Sequence, residues 1–183
     1  MPDRLARFST LAILATLSAG VARAGEPYGL GQPATSQQIA GWDIDVSPNG
    51  AGLPPGSGDA QQGEAIFAAK CAACHGAHGE GKPMDRLVGG IGTLRDKKPE
   101  KTVGSFWPYA TTLFDYVRRA MPLNAPQSLT PDEVYAVSAY VLFLNAIVPQ
   151  DTTLDADNLA KIKMPNRDGF VSAYPAPGAG AKP

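Results

Sequence analysis

The sequence predicts an all-α fold, and three observations carry that prediction. Apolar residues recur at spacings of three and four in three separate segments between residues 59 and 148. The last of these segments opens on a complete capping box, Thr130-Pro131-Asp132-Glu133. No segment alternates apolar and polar residues convincingly as a strand.

The chain can be justified in order. Residues 1–24 carry Arg4 and Arg7, an apolar run over 11–17, and Ala22-Arg23-Ala24 before Gly25. This is the pattern of an export signal cleaved after Ala24. The run is too short to cross a bilayer, which needs about 20 apolar residues. A periplasmic mature chain with no membrane span is expected. Removing Arg4, Arg7, Arg23 and Asp3 from 16 basic and 17 acidic residues leaves 13 and 16, a net charge of −3. That balance offers no basic footprint for nucleic acid.

Residues 25–58 read as an irregular arm, because the run from Gly50 to Gly58 is too dense in turn formers for a helix or a strand. The arm nevertheless holds Tyr28, Leu30, Trp42, Ile44, Val46 and Leu53. A solvated tail has no need of such residues, so the arm is expected to grip a partner.

A single helical domain is expected over 59–148. Its first helix starts with Asp59 as N-cap and carries Ala60, Gly63, Phe67, Cys71 and Cys74 along one stripe. The second covers about 109–120, where Leu113, Tyr116 and Val117 share a face. The third follows the Thr130 box, with Val134, Val137, Val141, Leu144 and Val148 as its buried stripe before Pro149. Between the first two, Arg95-Asp96-Lys97-Lys98-Pro99-Glu100-Lys101 reads as a solvated loop. Residues 149–183 form an extension in which Lys163 to Phe170 is expected to join the N-terminal arm in docking. Its last residues, 175–183, are Pro, Ala, Gly and Lys and are expected to be disordered.

The chemistry sits in "KCAACHGAHGEG" at 70–81, which contains the chain's two cysteines and both of its histidines. A disulfide or a redox dithiol has no use for a histidine directly after the second cysteine, and no thioredoxin-like βαβ pattern is present. A structural zinc site draws its ligands from two separated pairs, whereas Cys71, Cys74, His75 and His78 are crowded together. Cys-x-x-Cys-His is the attachment signal of c-type haem. On one helical turn, positions i, i+3 and i+4 share a face, so Cys71 and Cys74 can each form a thioether while His75 addresses the iron.

A sixth ligand has four candidates after the signal: His78, Met84, Met121 and Met164. His78 and Met84 lie close to the attachment motif, and a ligand on the opposite face requires the chain to pass around the macrocycle edge. Met121 is preferred, since it lies in the loop Arg119-Ala120-Met121-Pro122 between the second and third helices. Met164, the other two, or an open position remain alternatives.

Taken together, the Asp59 helix running into CAACH, the Gly76-x-x-Gly79-x-Gly81 run, the Met-Pro loop and the final capped helix with Tyr140 resemble a class I cytochrome c domain over 59–148. The resemblance implies three to five helices around one covalently bound haem c. It also implies that Gly63 and Phe67 meet Val137 and Tyr140 where the first and last helices cross. One departure is evident. The family's Gly-Pro-x-Leu segment, whose Pro carbonyl accepts from the proximal His, is replaced here by Pro83-Met84-Asp85-Arg86-Leu87, which leaves the acceptor for His75 Nδ1 unassigned.

A narrower resemblance extends over nearly the whole mature chain. "YGLGQPAT" at 28, "WDIDVSPNGAGLPPGSG" at 42, "KTVGSFWPYATTLFDYVRRAMPLNAPQSLT" at 101 and "KMPNRDGF" at 163 are similar to SoxD-type cytochromes of sulfur-oxidising systems. That resemblance implies a non-catalytic electron-transfer subunit of a sulfane or sulfite dehydrogenase. It would pair with a molybdenum-cofactor oxidoreductase subunit and pass electrons to a downstream cytochrome c or other acceptor. Trp107, Tyr109, Arg118 and Arg119 are then candidates for the haem propionates, because indole N–H, phenol and guanidinium donate well to carboxylates. Two other classes stay open: a free-standing electron carrier, and a catalytic or gas-binding haem protein with an open sixth position.

Overall fold

A computed structural model describes residues 29–174. The export signal, Tyr28 and the tail at 175–183 lie outside them. The chain divides into two compact units, Met1–Ala34 and Thr35–Pro183. Of the first, residues 29–34 are described, and all are exposed.

The second unit is mainly helical. Helix α1, Ser36–Ala40, is a single exposed turn held by a capping box, with Thr35 accepting from the Gln38 amide and the Gln38 side chain accepting in return. Helix α2, Ala60–Lys70, starts on Asp59 through the same reciprocal device with Gln62. One further turn, α3, Ala72–His75, follows directly. Helix α4, Val103–Phe106, is capped by Thr102, α5 spans Ala110–Ala120, and α6 spans Pro131–Leu144 behind the Thr130 box. The expected helices at 59, 109 and 130 are therefore present, while α1 and α4 are additions to them.

Helix α6 forms the centre. Every residue from Val134 to Leu142 is buried, so the expected single stripe is too narrow a description. The cause is that α2, α5, α4 and two short strands all pack on this helix and together leave it no solvent face. Its length also departs from expectation. It stops at Leu144, because Asn145 takes φ −89° and ψ 7° and Ala146 turns left-handed at φ 55°.

The α2–α6 crossing depends on Gly63. A Cβ there would overlap the Ala136 carbonyl and press on Tyr140, so Ala136 is the residue directly opposite and Val137 lies beside it in the core. One turn on, the Phe67 ring meets that of Tyr140 at 5.4 Å, tilted by 57°. Phe67 is fully buried, and burying such a ring contributes about 1.5–3 kcal/mol. On the other side of α6, Phe114 meets Tyr135 at 4.5 Å.

Two strands correct the expectation that none would form. β1, Ser57–Asp59, pairs antiparallel with β2, Thr153–Asp155. At three residues each they are too short to display alternation, and their partner lies far away in sequence. They join the flanks to each other across α6. The flanks are irregular but packed: Val46, Leu154, Leu159 and Met164 are buried in the same core as the helices. Of the apolar arm residues, Ile44 and Leu53 are half-buried, whereas Leu30, Trp42 and Phe170 are exposed. Among the described residues, no helix is long and apolar enough to cross a membrane.

Candidate haem-attachment site

The site begins where α2 breaks. Cys71 leaves helical geometry at φ −122° and ψ −37°, and the chain recovers at once. The amides of Cys74 and His75 both donate to the Cys71 carbonyl, at 3.1 and 3.0 Å. Cys71, Cys74 and His75 are thus held on one turn at i, i+3 and i+4. Both thiols are free, Cys71 half-buried and Cys74 exposed. Burial pushes the Cys71 thiol up to about 11, against a smaller lowering by Lys70.

After His75 the backbone must reverse, and Gly76 does so at φ 84°, where a Cβ would overlap the Glu80 carboxylate. The loop then folds back on the turn it has left. Gly81 N–H donates to the His75 carbonyl at 2.7 Å, and Met84 N–H to the Cys74 carbonyl at 2.9 Å. The amides of Leu87 and Val88 both reach the Gly79 carbonyl. The Asp85 carbonyl comes to 2.8 Å from His75 Nδ1. That contact supplies the acceptor left unassigned by the sequence, two residues downstream of Pro83. With Nδ1 engaged there, Nε2 is the ring nitrogen left to bind a metal.

Met121 follows the last residue of α5. Its N–H donates to the Val117 carbonyl at 3.1 Å, and its backbone is extended. Its side chain is half-buried against the core cluster that Cys71, Ala72, Leu87 and Trp107 also edge. The other candidates sit differently. Met164 is 1% exposed within the core, Met84 is 46% exposed, and His78 is exposed with its N–H donating to Glu80.

The four propionate candidates separate into two pairs. Arg118 donates to the Ile44 carbonyl at 3.1 Å and more weakly to that of Gly52. Arg119 pairs with Asp115, whose other oxygen accepts from the Val46 amide at 2.9 Å. Both arginines hold the preceding flank or its anchor through one guanidinium nitrogen each, and their other N–H groups remain available as donors. Trp107 and Tyr109 are half-buried. Trp107 meets Tyr116 edge-on at 5.8 Å, and the Arg167 guanidinium lies 4.4 Å over the Tyr109 ring.

Comparison with known proteins matches this architecture. The family model described as Cytochrome c fits residues 60–145. A chain in the crystal structure of the sulfane dehydrogenase SoxCD from Paracoccus pantotrophus is 40% identical, with 86% of this chain and 84% of that chain covered and a TM-score of 0.75. This chain belongs to the SoxD-type cytochromes c. A comparison with curated proteins gives no match.

A SoxD-type cytochrome c has the class I cytochrome c fold and carries one covalently bound haem c. The residues present fit that group. Two unpaired thiols and one imidazole share a turn, the imidazole is oriented through Nδ1, and a thioether lies on the edge of the same core. Tyr116 and Leu123, on either side of Met121 in the chain, remain largely exposed, apolar surface of the kind a macrocycle covers. Sequence reasoning missed Asp85, whose contribution is a backbone carbonyl and leaves no trace in side-chain identity. It also missed Asn145, whose amide bonds the Leu87 carbonyl and the Gly89 N–H.

Proposed function

We propose that this SoxD-type cytochrome c is the electron-transfer subunit of a periplasmic sulfane or sulfite dehydrogenase, accepting electrons from a molybdenum-cofactor subunit and passing them to a downstream cytochrome c or other acceptor. The observation that carries this reading is the extent of the likeness. The sulfane dehydrogenase chain covers 86% of this one, well beyond the haem-domain span of 60–145, so the flanks are shared as well as the haem fold. Those flanks carry the solvent-facing Ile39 and Trp42 on one side and Phe170, Val171 and Tyr174 on the other.

In this reading Cys71 and Cys74 would form the thioethers, and His75 and Met121 would be the proximal and distal ligands of the iron. Haem c held in this way would supply a one-electron Fe(II)/Fe(III) couple. The protein's own part is positional. Asp85 holds the His75 ring and favours its basicity, Gly76 and Gly79 let the loop close beneath it, and the core behind Met121 keeps water from one side. Trp107, Tyr109, Arg118 and Arg119 are the donors proposed for the propionates.

Co-expression with a molybdenum-cofactor subunit provides the test. The expected result is a co-purifying complex in which substrate addition reduces the haem in a stopped-flow trace. A cytochrome that elutes alone, and stays oxidised when the reduced partner is added, would instead support the free-standing carrier. That alternative draws on one observation: residues 44–58 and 149–164 bury their apolar side chains against their own core. Export is checked on the same preparation, where the mature chain should begin at Gly25.

A further inference from the structure

Helix α6 ends in Leu144-Asn145-Ala146, and the order of those residues is informative. Asparagine tolerates the left-handed conformation at a helix C-terminus better than any residue except glycine. Here Ala146 takes that conformation, at φ 55°, while Asn145 sits at φ −89°. Asn145 is therefore not required by the backbone. Its amide, in contrast, is almost fully used and 4% exposed. Nδ2 donates to the Val141 carbonyl at 2.9 Å and the Leu87 carbonyl at 3.2 Å, and Oδ1 accepts from the Gly89 amide at 3.0 Å. The space it occupies is kept open by Gly104, where a Cβ would overlap the amide.

The segment held in this way is the one that leads out of the proximal loop. Gly89 has its N–H taken by Asn145 and its carbonyl by the Thr102 hydroxyl at 2.6 Å. Leu87 has its carbonyl taken by Asn145 and its N–H by the Gly79 carbonyl. Two residues before Leu87 stands Asp85, with its carbonyl 2.8 Å from His75 Nδ1. We infer that Asn145 is a positioning residue for the proximal imidazole: it fixes the Leu87–Gly89 backbone, and thereby the Asp85 carbonyl that orients His75. This rests on His75 being the iron ligand. A firm Nδ1–H···O bond gives the imidazole more anionic character, which favours Fe(III). Loosening the loop therefore raises the reduction potential.

The test uses the full mature holoprotein, labelled with nitrogen-15. Asn145→Asp retains an acceptor for Gly89 and loses both donors, while Asn145→Ala loses all three bonds. In either variant the His75 ring proton on Nδ1 should exchange with solvent faster than in the wild-type protein, and the potential should rise. Val134→Ala, a cavity in the same helix away from the Asn145 amide, should lower the melting temperature and leave both readouts in place. A folded Asn145 variant with unchanged ring-proton exchange and potential would overturn the proposal.

Should neither variant fold, the wild-type protein still decides the matter. Its Gly89 amide and His75 ring proton should exchange through one common opening as guanidinium is raised below the melting range. Exchange of the ring proton through a smaller opening that leaves Gly89 protected would overturn it. The ligand reading fails separately, if the His75 ring protons show no hyperfine shift in the Fe(III) protein.

Discussion

The Tyr135 hydroxyl donates to the Pro54 carbonyl at 2.9 Å, so the central helix reaches outward to hold the segment that precedes the haem domain. Burial raises the Tyr135 pKa from 10.0 to about 12, because the phenolate would be desolvated and could no longer donate. A folded pKa above the unfolded one means the contribution is complete below pH 10 and is lost as pH climbs through 12. Tyr135→Phe should lower stability by about 1 kcal/mol at neutral pH. It should also flatten the loss of stability between pH 10 and 12. Denaturant melts across that range provide the check.

Attachment is tested on the turn itself. Cys71→Ala or Cys74→Ala should leave one thioether, a holoprotein that still shows a haem adduct in its denatured mass, and a lower melting temperature. A wild-type chain without covalent haem in the pyridine haemochrome assay would end the reading of CAACH as an attachment motif.

Two methionines should respond in opposite ways. Met121→Ala should abolish the weak near-infrared Met-to-iron band, lower the potential and speed cyanide binding. Met164→Ala, cut from a site 1% exposed, should keep that band and cost about 2–5 kcal/mol in stability. The reverse pattern would move the sixth ligand to the C-terminal flank.

At the α2–α6 crossing, Gly63→Ala must push a methyl group into the Ala136 backbone. Backbone yields less readily than a side chain, so overpacking there should cost roughly 1–3 kcal/mol. Guanidinium melts of the holoprotein, followed at the Soret band and by far-ultraviolet circular dichroism, should show the loss as a lower midpoint.

Much of this was legible in the sequence wherever one local rule was decisive. Asp59 and Thr130 capped their helices as expected because the capping box is a four-residue device. CAACH was readable because its spacing matches one helical turn. Thr35-x-x-Gln38 is a box of the same kind and was there to be read, but no apolar stripe followed it to draw attention. The pairing of β1 with β2 and the Asn145 contacts could not be read, since each depends on residues brought together from distant parts of the chain, and the Asp85 role could not because a backbone carbonyl is common to every residue. The contacts that Arg118 and Arg119 make in the structure were legible only in part. Arg119 stands four residues after Asp115 on α5, a spacing the sequence displays, whereas the Ile44 carbonyl taken by Arg118 is brought near only by the fold.

The same contacts divide the N-terminal arm into two parts with different roles. From Ile44 onward it is tied down: Ile44 by Arg118, Val46 by Asp115, Pro54 by Tyr135, and 57–59 by pairing with β2. The residues before it, 29–43, are exposed throughout, with Trp42 at 89%. Removing 25–42 from the mature chain should therefore leave the haem spectrum and melting temperature nearly unchanged while weakening co-purification with the molybdenum subunit, since an exposed Trp is a frequent binding hot spot. Extending the deletion to Ser57 should behave differently. It strips partners from the buried Asp115 and from Tyr135, removes Ser57 and with it the β1 partner of Asp155, and should lower the melting temperature by several degrees even with no partner present. Melting curves of the two truncations, set beside a pull-down of each, separate the roles. A longer truncation as stable as the shorter one would show that the 44–57 segment only rests on the core, and undiminished partner binding by the shorter one would remove Trp42 from the interface.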